Sequence, residues 1–434
     1  MTWRQVVRNY KRLRRAPFNT LLPYAGLALV FSAGAAMFVG CLEIRDRFPW
    51  SKPQPVEPPP EVVPDRQIRV LLGSRKPRPA ERLSITAPFS VLDYAAGGRE
   101  LRRVAEPVIE VGVQPQPTRG ITLGTFQFDS NDLLISPDRD AALVLGTKTY
   151  RGRLRIQRID NGLIFTNFVD IEGYIRGVLR GELPADFHPE AFKTLAVAAR
   201  TYALYQKRLS KDREFDVVDH EGSQVYDGVS KEEKIAVDAV EATRGQVCVW
   251  SNGGKDEIFC TYYSSTCGGC SQNVRNVKPG DPAVPPLAGG VICNDCSQSP
   301  FYRWGPARIT KAELTKRIIA RYPTVRRLGT IVDLRPKGLT PDGRLIRIEL
   351  IGSNGQVETL VGEDFRLTLG PKLLRSTNFT LETQRTEFVF KNGKGFGHGM
   401  GLCQYGMDTK AKAGMTYDKI LTTYYPNSKL KTLH

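Results

Sequence analysis

The apolar residues change their spacing repeatedly along the chain, and each change marks a different kind of element. Leu21 to Leu42 is a run of 22 residues without a charge. At helical rise it reaches about 33 Å, enough to cross the hydrocarbon core of a bilayer. Residues 1–20 carry Arg4, Arg8, Lys11, Arg12, Arg14 and Arg15 and no acid, and a basic flank of this kind stays on the cytoplasmic side. The pattern predicts a cytoplasmic segment at 1–20, a transmembrane anchor at 21–42, and a body exported on a single-pass membrane protein. Phe38-Val39-Gly40-Cys41 also has the form of a lipoprotein cleavage box, which makes a lipid tether on Cys41 the alternative. Residues 43–65 then hold Pro49, Pro53, Pro55, Pro58, Pro59, Pro60 and Pro64. Such a run favours extended polyproline II and reads as a semi-rigid stalk.

Between residues 66 and 160 the pattern is that of short strands. Gln67–Leu72, Leu83–Thr86, Phe89–Leu92 and Val108–Val111 are candidates, and Leu154–Ile159 alternates apolar with charged residues as a half-buried strand does. This N-terminal region is expected to be β-rich. From 161 to 434 the period becomes mixed. Ile171, Ile175, Val178 and Leu179 share one helical face, and Leu183-Pro184 ends that helix because the residue before proline avoids the α region. A second helix is expected from Pro189 to about Gln206, alanine-rich and central. Strands are expected again at 245–261, a cysteine-bearing loop within 260–300, and a helix at 311–322. Further strands across 331–387 would turn at Pro341-Asp342-Gly343 and Ser353-Asn354-Gly355. A helix near 407–413 follows a glycine-rich loop. The expected fold class is therefore α+β, with mixed sheets and a few helices, preceded by one N-terminal transmembrane helix.

Composition changes the picture in one respect. The 434 residues carry a net charge of +17, which points to a polyanionic neighbour: nucleic acid, a membrane surface or an anionic cell wall. The span and stalk place the body outside the cytoplasm and so remove nucleic acid from that set.

Candidate chemistry lies in the second part of the chain. Glu182 sits at a helix end in Gly181-Glu182-Leu183-Pro184, where a partly desolvated carboxylic acid has a raised pKa and can donate a proton. Arg200 lies on the alanine-rich helix, and a buried guanidinium there needs a carboxylate or a ligand. The run Gly395–Gly406 alternates glycine with larger residues and offers His398, Gln404 and Tyr405 to a ligand that the backbone can approach closely. Cys267-x2-Cys270 and Cys293-x2-Cys296 are two knuckles with the spacing of a four-thiolate structural zinc site, and the same four residues could form disulfides in an oxidising compartment. Cys248 and Cys403 read as buried thiols.

Several of these stretches occur in series: Asp170–Val178 into Gly181-Glu182-Leu183-Pro184, Ala196–Ala203, Tyr262–Thr266, Gly397-His398-Gly399, Gln404-Tyr405-Gly406 and Tyr424-Tyr425-Pro426. Together they resemble the stage II sporulation protein D family, which includes amidase-enhancer proteins. The resemblance implies a peptidoglycan lytic transglycosylase acting on glycan strands stripped of stem peptides and leaving 1,6-anhydro-muramic ends. It implies Glu182, Arg200 and Tyr405 as catalytic residues, with Tyr202, Ser264, Ser265, His398 and Gln404 towards the substrate. The alternative it carries is a non-enzymatic module that binds peptidoglycan and stimulates a cell-wall amidase.

Overall fold

The computed structural model describes residues 66–138 and 141–433. The expected basic segment, span and stalk, with Cys41, lie outside the described residues, and no described helix is long and apolar enough to cross a membrane. The described body is mixed α+β, as the residue pattern predicts.

Each strand expected between 67 and 159 is present to within a few residues, at Gln67–Leu71, Glu81–Ile85, Phe89–Asp93, Val108–Pro115 and Arg153–Ile159. They belong to a seven-stranded and a six-stranded sheet, both antiparallel except for one edge pairing. The centre of the larger sheet is Gly162–Asp170, which pairs antiparallel with Gln67–Leu71 on one side and with Arg153–Ile159 on the other. The sheet therefore runs across residue 160, where the residue pattern had suggested a change of region. The strand was hidden because seven of its nine residues are fully buried, and a strand buried on both faces shows no alternation.

That strand leads directly into helix α1, Ile171–Glu182, whose first turn is capped by the Asp170 carboxylate accepting from the Glu172 N–H at 2.9 Å. Helix α2, Pro189–Leu209, starts on proline, which lacks only an N–H that would be unpaired there. Its Ala191, Leu195, Ala196, Ala198, Ala199 and Ala203 are wholly buried. Helix α3 spans Lys234–Ala242.

Residues 303–391 contain a second hydrophobic core of their own, centred on Leu314, Ile318, Ile348, Leu350, Phe365 and Phe388. It is enclosed by two three-stranded sheets with helices α4, Lys311–Arg321, and α5, Gly362–Leu369. Both predicted turns join strands here, with Gly343 and Gly355 at positive φ. The chain then returns to the first core through α6, Gln404–Lys412, and α7, Tyr417–Tyr424. The last strand, Ser428–Thr432, pairs with Gln246–Asn252. Helix α2 packs against α1, α3, α6, α7 and strand Gln246–Asn252. It is the axis around which the later segments gather.

Two glycines decide how α1 meets its neighbour. A Cβ on Gly177 would stand 2.6 Å from the Tyr226 ring and 3.0 Å from the Gly228 carbonyl oxygen, and one on Gly181 would stand 2.8 Å from the Val225 carbonyl oxygen. Four residues apart, they lie on one face of the helix, so the loop 219–228 rests on bare backbone. Alanine at 177 would gain about 1 kcal/mol of helix propensity, whereas overpacking costs about 1–3 kcal/mol. With the Tyr226 ring at 2.6 Å and a backbone carbonyl at 3.0 Å the upper part of that range applies, and Gly177→Ala is expected to lose stability by about 1–2 kcal/mol in urea unfolding. A variant as stable as the parent would show that the loop does not seat on this face.

Candidate active site

Glu182 is the last residue of α1. Its Oε1 accepts the Val225 N–H at 2.7 Å, and Gln404 Nε2 lies 3.4 Å from both its Oε2 and its carbonyl oxygen. The Tyr263 phenol, close by, also favours the ionised carboxylate. Desolvation by the surrounding protein raises the carboxyl above the ordinary glutamate range, Val225, Gln404 and Tyr263 oppose that shift, and the charge of Glu221 adds to it. The carbonyl end of the helix macrodipole acts in the same direction as the desolvation. The result is a carboxylic acid held in one orientation and reluctant to ionise, which is the condition of a general acid.

Behind it stands a chain of polar groups. Tyr174 O–H donates to Gln224 Oε1 at 3.2 Å, and Gln224 Nε2 donates to the Tyr263 oxygen at 3.0 Å. Gln224 is completely buried, so each of its amide atoms needs a partner, and these tyrosines provide them. Sequence reasoning missed Gln224 and Val225, because the loop 219–228 reads as a polar turn. Their only signal was indirect: two glycines at helical spacing on α1, with no account of what they faced.

On the other side, Gln404 and Tyr405 occupy the first turn of α6, which begins three residues earlier than expected. A two-residue parallel pairing of Tyr263–Ser264 with Leu402–Cys403 aligns this turn with the Ser264-Ser265 segment, and Tyr405 N–H donates to the Ser265 carbonyl at 3.1 Å. The half-buried Tyr405 ring is wedged edge-on between Phe187 and Phe301, at 5.2 and 5.9 Å between centroids. Burial and the nearby Asp186 and Asp408 raise its phenol, so it remains protonated at neutral pH. Ser264 Oγ accepts the Gly399 N–H at 3.2 Å, which spends that hydroxyl on the glycine loop. His398 Nδ1 accepts the Met400 N–H at 3.0 Å, and burial pushes this imidazole down to about 3, so it is neutral and carries its proton on Nε2. Tyr202 is buried beside the Tyr262 ring, 6.3 Å between centroids.

Arg200 requires a correction. Its guanidinium is 1% exposed and grips Glu172, with Nε to Oε1 at 3.0 Å and Nη2 to Oε2 at 2.6 Å, while Nη1 donates to the Gln246 carbonyl at 3.0 Å. Glu172 also accepts the Gly245 N–H at 3.1 Å. None of the Arg200 hydrogen bonds goes to Glu182. The residue fastens α1, α2 and strand Gln246–Asn252 together and is walled off from any ligand.

The cysteine cluster also differs from the four residues expected to form it. Cys267, Cys293 and Cys296 gather with Cys403, their sulfur atoms all within 4.8 Å of one another. Cys270 is outside the group, half-buried, with its sulfur turned to the Ser271 carbonyl at 3.5 Å. The reason is local: Gly268 and Gly269 both take positive φ, and Cys270 then pairs with Ile292 across a β-bridge. Cys403, expected as a buried thiol, is buried and takes the fourth place. The described cysteines are all free thiols.

Fold and site together define a mixed α/β protein with one desolvated carboxylic acid set among amide and tyrosine groups. A family model described as stage II sporulation protein matches residues 160–250, and a domain of unknown function matches residues 292–401, a span that takes in the second core. A protein of Brachyspira hyodysenteriae, itself uncharacterized, is 33% identical over 279 residues, covering 64% of this chain and 70% of its own length. Stage II sporulation protein D of Bacillus subtilis is 30% identical over 277 residues, 60% of this chain and 74% of that protein. An amidase enhancer of the same organism is 26% identical over 300 residues, 59% of this chain and 40% of that protein. The chain belongs to the stage II sporulation protein D family.

Two measurements test this geometry. Removing one partner of a buried ion pair costs about 3–5 kcal/mol, so Arg200→Met and Glu172→Gln are each expected to lose about that much in denaturant unfolding, with partial recovery in the double variant. An Arg200 variant of full stability that had lost only function would return the residue to the site. For Glu182 the sign runs the other way. Its folded pKa is raised, so the native state holds its proton longer than the unfolded chain, and stability falls as pH rises from the ordinary glutamate pKa through the raised one. Glu182→Gln is therefore expected to melt at or above the parent at neutral pH, the difference closing as the pH is lowered. A large loss of melting temperature at neutral pH would mean that the carboxylate is stabilising instead.

Proposed function

We propose that this protein is a cell-wall enzyme, a peptidoglycan lytic transglycosylase that cuts peptide-stripped glycan strands and leaves 1,6-anhydro-muramic ends. The observation that carries the reading is the single oriented carboxylic acid of Glu182, raised by desolvation, hydrogen-bonded by Val225 and Gln404 and flanked by Tyr263. The acid protonates the glycosidic oxygen as the bond from that oxygen to the anomeric carbon breaks. The carboxylate so formed then takes the proton from the sugar's own 6-hydroxyl, whose oxygen closes on the anomeric carbon. Proton and leaving group balance within one substrate, and no water is consumed, in contrast to two-carboxylate hydrolysis. Tyr405, a protonated and partly exposed phenol next to Gln404 in the first turn of α6, is assigned to the developing positive charge at the ring. Gln404 holds the acid in orientation. We assign the body to the outer side of the membrane, on the N-terminal anchor over 21–42 or a lipid on Cys41.

A second reading follows from the similarity to the amidase enhancer. In it the same surface binds glycan strands without cutting them and stimulates an N-acetylmuramoyl-L-alanine amidase.

The test is purified full-length protein with peptide-free glycan strands, its products read by mass spectrometry beside Glu182→Gln. Anhydro-ended fragments from the parent alone are expected. The rate should fall as pH rises through the raised pKa of Glu182, because the acid form is the active one. Fragments heavier by one water, lost in a Glu221→Gln variant, would make it a hydrolase with Glu221 as the base. Retention of uncut strands together with faster amidase turnover would establish the second reading.

A further inference from the structure

We propose that Cys267, Cys293, Cys296 and Cys403 bind one zinc ion as a tetrathiolate, and that this ion pins the Ser264-Ser265 segment to the first turn of α6, with buried Arg344 as its counter-charge. The inference is independent of whether the protein cuts glycan.

The first argument is geometric. Zinc–thiolate bonds of about 2.3 Å in a tetrahedron put neighbouring sulfurs about 3.8 Å apart. The four sulfur atoms lie within 4.8 Å of one another, and those of Cys267 and Cys296 are 3.6 Å apart. All four residues are buried. The surroundings suit thiolates rather than thiols. Cys267 N–H is directed at Cys403 Sγ at 3.3 Å, and the Tyr424 hydroxyl lies 3.0 Å from Cys293 Sγ. A Cβ on Gly406 would stand 2.4 Å from Cys293 Sγ, so the glycine makes room for the cluster against the helix.

The second argument is charge. Four thiolates around a divalent ion leave a net charge of about −2, which needs compensation in a buried site. Arg344 is 1% exposed, and its guanidinium donates to the carbonyl oxygens of Cys267 at 2.7 Å and Gly397 at 3.0 Å. Its Nε is buried with no partner. No carboxylate among the described residues forms an ion pair with it within 4.0 Å. The carboxylates of Glu363 and Asp342 act on it from beyond ion-pair distance; a buried guanidinium without a direct ion pair is costly, and a dianionic cluster reached through Cys267 adds the nearer charge. Gly399 and Gly395 are shaped around it, since a Cβ at either would lie 2.8 or 3.1 Å from its terminal atoms. The glycine-rich stretch thus has a structural use that a ligand-binding reading leaves out: it admits Arg344.

The consequence for the site is mechanical. Cys267 follows Ser264-Ser265-Thr266, and Cys403 precedes Gln404-Tyr405. The backbone joins them by the short pairing Tyr263–Leu402 and Ser264–Cys403, flanked by the Leu402 N–H bond to Tyr262 and the Tyr405 N–H bond to Ser265, with the Cys267 N–H directed at Cys403 Sγ. A metal bridging residues 267 and 403 closes this weak ladder and fixes Gln404 beside Glu182.

The test is zinc content of full-length protein purified without chelator, by elemental analysis, with cobalt substitution for its tetrahedral thiolate absorption. One zinc per chain is expected, lost in Cys403→Ser and Cys293→Ser and retained in Cys270→Ser. Arg344→Met should weaken zinc retention against a chelator about 10–100-fold, with Arg344→Lys recovering part of it. A metal-free parent that takes up neither zinc nor cobalt overturns the proposal, as does one whose four thiols are joined as disulfides. Zinc lost in Cys270→Ser but kept in Cys403→Ser overturns the ligand set. Because the cobalt spectrum is read on the parent, a serine variant that fails to fold does not remove the test.

Discussion

The buried pair of Arg200 and Glu172 is the constraint on which the rest of the body depends. Two charges out of water are tolerable only when their geometry is excellent and their remaining hydrogen-bonding capacity is filled. Here the guanidinium binds the carboxylate at two points, its third nitrogen takes the Gln246 carbonyl, and the carboxylate takes the Gly245 N–H. The pair therefore specifies the relative position of α1, α2 and the strand that receives the end of the chain. No purely apolar contact between an alanine-rich helix and its neighbours would be as particular about register.

Glu182 inherits its position from that arrangement. It stands at the far end of α1 from Glu172, so the helix acts as a rigid spacer between the ion-paired carboxylate and the desolvated one. The two acids have opposite environments. Glu172 is paired with a cation, the Arg200 guanidinium. Glu182 has amide donors and a neighbouring phenol but no cation, and desolvation raises it. Environment separates two glutamates ten positions apart, one paired with a cation and one desolvated without one.

The segments that complete the site arrive from distant parts of the chain. The loop 219–228 rests on the glycine face of α1 and brings the Val225 N–H. The Tyr263–Ser265 segment and the start of α6 are joined by a ladder of only two residues. Between these last two in sequence lies the whole second core, so the ends of a large insertion converge beside the acid. Such a junction calls for a local fastener, and the four-sulfur cluster sits there, at the foot of the insertion.

Much of this was legible in the residues alone. The 3.6-residue period of α1, the proline that starts α2, the strand alternation before residue 160 and the turn glycines are local signals. They depend on backbone sterics and on the water-facing side of each element, which any short window of sequence contains. Glu182 and Tyr405 were visible because helix ends and glycine-rich runs are local too. Three things were decided only by tertiary structure. Strand Gly162–Asp170 is central and loses its alternation because both faces are covered. The partner of Arg200 is set by which carboxylate the packing brings to it, which spacing along one helix does not reveal. The fourth cysteine of the cluster is Cys403 and not Cys270. Sequence spacing sees only neighbours, whereas two positive-φ glycines turn Cys270 away and the parallel pairing of Ser264 with Cys403 brings in a sulfur from 136 residues downstream of Cys267.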